Sequence, residues 1–208
     1  MAREPIFIGN LSDDLHCLQA CIRMFGETIG RPISWAEADA ITGFQKDLYT
    51  WPARSIIELN TLFPGTRYWT DFDYGRFCRE GRAYLLSYFH GDVAWVDDQE
   101  AHASPGFEKE MRDAQRMVEA QLVERRNPSA SDWKDILAAH YVIAFVDSGV
   151  LHERERGIGH SVLLYGVDGG ELLLHDPGLP PRPSVRVPVE RFMKAYRNGA
   201  TVIPLPNR

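Results

Sequence analysis

Three residues stand out for the chemistry they could perform together: Cys17, His160 and Asp176. A thiol becomes a strong nucleophile near neutral pH when something nearby holds it as the thiolate. An imidazole can take the thiol proton and later return it to a leaving group. A carboxylate can fix the tautomer of that imidazole and stabilise its charged form. An early cysteine, with a histidine and its orienting partner late in the chain, is the order expected of a nucleophile system assembled by folding. Each residue alone is weak evidence. A lone cysteine is most often a small buried side chain, a lone histidine is often a satisfied structural one, and Asp-Pro-Gly by itself is a turn.

The elements around these residues decide whether they can meet. Cys17 sits in Ser12-Asp13-Asp14-Leu15-His16-Cys17, which reads as a helix start with Ser12 or Asp13 as the N-cap. Leu15, Leu18, Ile22, Phe25 and Ile29 recur at helical spacing, and Gly30-Arg31-Pro32 ends the run. Exposed N–H groups and the positive end of the helix dipole favour a thiolate there. Asp13 and Asp14 oppose it. His160 opens a strand over residues 160–167, with Gly159 before it to allow a close approach. Asp176 closes a second strand over 171–175, and Asp168-Gly169-Gly170 is the hairpin turn between them. A hairpin sets such strand ends side by side, so Asp176 can accept a hydrogen bond from the imidazole.

The other periodicities predict a strand at Pro5–Ile8 and helices over 34–43, 54–62, 74–89, 107–126, 131–139 and 189–196. Further strands are predicted at 66–69, 141–146 and 201–205, with a stiff loop at Pro180–Pro183. Residues 149–157 read as a polar loop able to gate the site. A helical first part followed by a mostly antiparallel sheet is the α+β class. At 208 residues the chain is expected to be one domain, with a helical insertion at about 65–135.

Composition narrows the function classes. Hydrophobic residues make up 44% and charged residues 25%, which supports a core without staples. The net charge of −6, with no basic block, argues against a nucleic-acid partner or an anionic membrane surface. No apolar run approaches a membrane span and no signal-peptide pattern follows Met1, so the expected location is cytoplasmic. The three cysteines, Cys17, Cys21 and Cys78, are too few for a disulfide framework and suit a reducing compartment. Zinc is the competing chemistry: His16, Cys17 and Cys21 are close in sequence, and His175 and Asp176 could add ligands. There is no CxxC pair, and His16 faces away from Cys17 on a helix, so no metal and no cofactor are expected. Phosphate-loop and dinucleotide glycine patterns are absent.

Taken together, the segments resemble papain-like cysteine peptidases that remove double-glycine leader peptides from bacteriocin precursors, and their stand-alone relatives. The likeness rests on Cys17, Ala20, Ile22 and Met24, on Gly159-His160-Ser161-Val162-Leu163-Leu164-Tyr165-Gly166, and on Asp176-Pro177-Gly178. It implies a papain-like fold, with Cys17 as nucleophile, His160 as general base and acid, and Asp176 as its orienter. Two positions depart from the family pattern. Leu18 replaces a glycine, and Leu11 stands where the family places an oxyanion-hole glutamine, leaving Asn10 as the candidate donor. The best-known members are fused to transporter membrane domains, so export-coupled leader cleavage is not carried over.

The reading favoured is a hydrolase of a peptide or small amide, acting through an acyl-thioester and monomeric by default. The alternatives are an acyltransferase on the same site, with Tyr49, Trp51, Trp69 and Tyr74 as candidates for a dry acceptor pocket, and a non-catalytic peptide-binding relative.

Overall fold

The computed structural model describes residues 4–155 and 157–205. Among them lie ten α-helices: α1 (Cys17–Thr28), α2 (Trp35–Thr42), α3 (Pro52–Leu62), α4 (Tyr74–Glu80), α5 (Arg82–Tyr88), α6 (Val93–Ala101), α7 (Glu108–Glu119), α8 (Trp133–Ala139), α9 (Ser148–Leu151) and α10 (Val189–Ala195). The strands are β1 (Arg67–Thr70), β2 (Val123–Arg125), β3 (His140–Asp147), β4 (Gly159–Asp168), β5 (Glu171–Asp176), β6 (Arg182–Pro188) and β7 (Tyr196–Pro204). They form one sheet in the order β2-β1-β7-β3-β4-β5-β6. Its pairs are antiparallel except β1 with β2.

The central strands dictate this α+β arrangement. β3 contains Tyr-Val-Ile-Ala-Phe-Val and β4 contains Val-Leu-Leu-Tyr, runs without polar alternation, so both faces need cover. Val142, Ala144, Val162 and Leu164 pack with Trp133 and Leu137 of α8 and Phe192 of α10. Ile143, Leu163 and Tyr165 pack on the other face with Ile22 and Phe25 of α1. Each such aliphatic side chain contributes about 1.5–3 kcal/mol when buried. A third core, built from α3 to α7 against Tyr68, holds Phe77, Leu85, Phe107 and Met117.

The β4–β5 hairpin turns through Gly169 and Gly170, at φ 57° and 84°, a conformation that favours glycine. Register on β5 against β6 shifts between Leu174 and Asp176, an irregularity of the kind that re-aims a side chain at a strand end.

Several expected elements take another form. Pro5–Ile8 is not a strand. That segment is held by His175 Nε2 donating to the Pro5 carbonyl (2.9 Å) and by Ile6 N–H donating to Thr28 Oγ1 (2.9 Å). The first helix begins at Cys17 rather than after Ser12 or Asp13, because Asn10 Oδ1 accepts the Leu11 and His16 N–H groups and folds residues 12–14 into a turn. The helix expected over 74–89 breaks at Gly81 (φ 52°) into α4 and α5. The helix expected to reach residue 126 stops at Glu119. Gln121 (φ 55°) reverses the chain, so that β2 joins β1. Part of the proline-rich stretch is the start of edge strand β6, where a missing N–H costs no ladder bond. The polar loop begins as α9, and α6 had no clear periodic signal.

Candidate active site

Cys17 occupies the first helical position of α1, with no acidic residue in the first turn. The two aspartates that threatened its thiolate are engaged elsewhere. Asp13 Oδ1 accepts the Leu15 N–H (3.1 Å) and lies 3.0 Å from His16 Nδ1, while Asp14 accepts from Asn10 Nδ2 (2.9 Å). α1 rests on β4 and β3, which brings its N-terminus to the sheet end where β4 begins and β5 finishes.

There the Cys17 thiol and the His160 imidazole act on each other electrostatically. His160 Nε2 lies 2.6 Å from Asp176 Oδ1, leaving Nδ1 for the sulfur. Gly178 N–H donates to the same Oδ1 (2.8 Å). Both side chains are more than nine-tenths buried. Burial pushes the Cys17 thiol up, but the hydrogen bond and charge of His160, helped by Ser161, bring it below its ordinary value. Burial likewise opposes charge on His160, yet Asp176 and Cys17 raise it to about 10. Burial would raise Asp176, but His160, the Gly178 N–H and His152 hold it down at about 2. The group therefore favours a thiolate, an imidazolium and a carboxylate in series. Cys21, one turn further along α1, is the contrast: burial first, then the nearby Cys17 and Asp176 charges, push its thiol well up.

No family model matches the chain, and no curated protein matches it by sequence. Solved structures do. One is a double glycine motif protease from an AMS/PCAT transporter in complex with the leader peptide, at TM-score 0.51 and 10% identity over 98% of this chain and 94% of that one. Another is the peptidase domain of Streptococcus ComA, a bi-functional ABC transporter involved in a quorum sensing pathway, at TM-score 0.50 and 12% identity over 98% of this chain and all of that one. The chain has the papain-like fold of double-glycine peptidase domains.

Within this fold Asn10 is fixed beside the helix start. Its carbonyl oxygen takes two backbone N–H groups, and one hydrogen of its amide goes to Asp14. His16 and His175 lie in separate surroundings. His16 packs against Phe44 and Trp35 between Asp13 and Asp39. His175 is pinned on the opposite side of β5 from Asp176: Nε2 faces the Pro5 carbonyl and Nδ1 accepts the Ser184 N–H (3.0 Å). Among the described residues no group of three or more His, Cys, Asp or Glu could hold a metal ion. No helix among them is long and apolar enough to cross a membrane. The four aromatics considered for an acceptor pocket are dispersed. Trp51 and Tyr74 join the third core, Trp69 joins the α8–α10 core, and Tyr49 stacks on His102 at the surface.

One residue of the site carried no sequence signal. His152, just after α9, places Nε2 2.5 Å from Asp176 Oδ2. It sits in an aperiodic polar segment, and only folding brings that segment over the end of β5.

Proposed function

We propose that the protein is a cysteine-dependent hydrolase of peptide or amide bonds that works through an acyl-thioester on Cys17. What supports this reading is His160 Nε2 held 2.6 Å from Asp176 Oδ1, with His160 and Cys17 acting on each other so that the thiol is held low and the imidazole high. The thiolate attacks the carbonyl carbon, and the carbonyl oxygen takes the negative charge. Helix-start N–H groups, which lack intrahelical acceptors, together with the second Asn10 amide hydrogen, are suited to receive that charge. Imidazolium His160 protonates the leaving amine as the C–N bond breaks. The neutral ring then takes a proton from water, whose oxygen attacks the thioester and releases the acid and the Cys17 thiolate. Asp176 stays ionised throughout and keeps the ring in register.

A peptide substrate is supported by the similarly folded protease bound to a leader peptide. The three free thiols suit a reducing, cytoplasmic setting. We treat the chain as a single catalytic domain, with the helical stretch near residues 65–135 as its insertion.

The test is cleavage of peptides carrying a double-glycine stretch, followed by mass spectrometry, alongside a search for an acyl adduct on Cys17 after exposure to cell extract. Cleavage by the wild type and none by Cys17→Ala is the expected result. Undiminished cleavage by Cys17→Ala overturns the reading, and transfer of the acyl group to an amine in place of water would reassign it to acyl transfer.

A further inference from the structure

Asp176 has two histidine partners, and the mechanism uses only one. Its Oδ1 faces His160 and its Oδ2 faces His152. An ionised carboxylate only accepts hydrogen bonds, so both Nε2 atoms must carry hydrogen. His152 is 11% exposed and is held in place from several directions. Its own N–H donates to the Gly149 carbonyl (3.1 Å). Leu151 beside it is fully buried, and α9 packs on α10. Asp147 clamps the segment at both ends, accepting the Val150 N–H (3.0 Å) and the Gly157 N–H (2.8 Å) while pairing with Arg197. The described part of the stretch expected to form a gate, residues 149–155 and Gly157, is thus a braced platform that delivers one imidazole to one carboxylate oxygen; Arg156 lies outside the described residues.

We propose that His152 is a positioning residue of the nucleophile system: as a neutral imidazole it donates to Asp176 Oδ2, which fixes the carboxylate plane and keeps Oδ1 on His160. This rests on Cys17, His160 and Asp176 being the reacting group. A carboxylate with one oxygen undirected can rotate about its Cβ–Cγ bond, and each rotation weakens the hold on the His160 imidazolium. A second donor on the other oxygen removes that freedom. Three charged groups act on His152: Asp176 from β5, Arg182 from β6 and Arg154 from its own loop. Burial holds it below its ordinary value, and the two arginines outside the carboxylate act in the same direction, so it serves as a neutral donor near pH 7.

Alkylation of Cys17 by iodoacetamide, followed by peptide mapping between about pH 5 and 10, reads the ion pair without any substrate. In the wild type Cys17 should react far faster than Cys78 at the acid end, where Cys78, raised by burial, is protonated. His152→Leu should move the acid edge of Cys17 labelling up by about one pH unit, so that labelling near that edge slows about tenfold. His152→Gln, which keeps a donor at the Nε2 position but does not titrate, should restore the wild-type edge. A purely structural role would lower the melting temperature of both variants and leave the edge in place. An unchanged edge in folded His152→Leu, or an equal shift in both variants, overturns the proposal while the Cys17 assignment stands. Wild-type Cys17 reacting no faster than Cys78 would remove the assignment itself.

Discussion

The β4–β5 hairpin and the helical stretch from α4 to α7 are held together by different forces. The hairpin buries His160, His175 and Asp176, and each is satisfied by a specific donor or acceptor. In the helical stretch the buried contacts are mostly aromatic: Phe72 meets Tyr74, Phe77, Tyr84 and Tyr88, while Trp51 stacks on Phe77. Its ion pairs, Arg76 with Glu80 and Arg82 with Asp97 and Glu100, lie at the surface, where such pairs contribute little. The difference teaches where reactivity and stability are coupled. In the hairpin, under the proposed function, the same hydrogen bonds set both. In the helical stretch apolar area sets stability and leaves reactivity alone.

The sharpest way to break this contrast is a pair of variants. His160→Ala strands the buried Asp176 charge and should cost about 3–5 kcal/mol, and it should also slow acid-pH alkylation of Cys17 to the rate of an ordinary thiol. Phe77→Ala empties a fully buried site and should cost a similar 3–5 kcal/mol, yet leave Cys17 alkylation unchanged in the folded protein. Urea titration and peptide mapping measure the two effects, and a loss of labelling in Phe77→Ala would join the two regions.

Next in size is Asn10→Ala. Alkylation of a thiolate develops no oxyanion, so labelling should persist, while peptide cleavage should fall about 10²-fold through kcat. Equal turnover in the variant would assign the oxyanion contact to backbone N–H groups alone.

A smaller effect belongs to pH. His160 is raised from 6.5 to about 10, so its contribution is complete below 6.5 and lost as pH rises through about 10. His152 and His175 are lowered, chiefly by burial, so protonating them opposes folding and stability falls as pH drops below 6.5. Asp176, at about 2, keeps its contribution until much lower pH. Cys17 is lowered from 9.0, so between about pH 6.5 and 9 the proton it gives up on folding offsets the one His160 holds, and the urea midpoint should decline below about 6.5 and above about 9. His152→Gln should flatten the acid side, and an unchanged acid slope would mean His152 adds nothing to it. The smallest effect is Ser34→Ala, which opens the Ser34–Glu37 capping box of α2 and should cost about 1 kcal/mol without touching labelling.

Much of this architecture was legible in the chain. The apolar runs of β3 and β4 were read as strands, and the Asp168-Gly169-Gly170 turn announced the hairpin that sets Asp176 near His160. The helix expected over 34–43 is α2, whose ends the structure shows to be capped by the Ser34–Glu37 box and by Gly43. The errors fall where a local pattern was overruled from a distance. The charged, periodic run to residue 126 reads as one helix, but Val123–Arg125 pairs with β1 instead. Pro5–Ile8 has strand-like residues and finds side-chain partners in place of a neighbouring strand.

By itself the sequence determined the order of the chemistry: a thiol at a helix start, an imidazole at a strand start and a carboxylate at the next strand end, each placed by short-range patterning. Tertiary structure decided the partners. Asn10 gathers the backbone so that α1 begins at Cys17 itself, Asp13 and Asp14 are drawn away from the thiol, and α9 brings His152 to the second oxygen of Asp176. The physical reason is one of range. Backbone periodicity and turn preference act over a few residues, whereas a buried carboxylate takes whichever donors the packed elements deliver within hydrogen-bond reach.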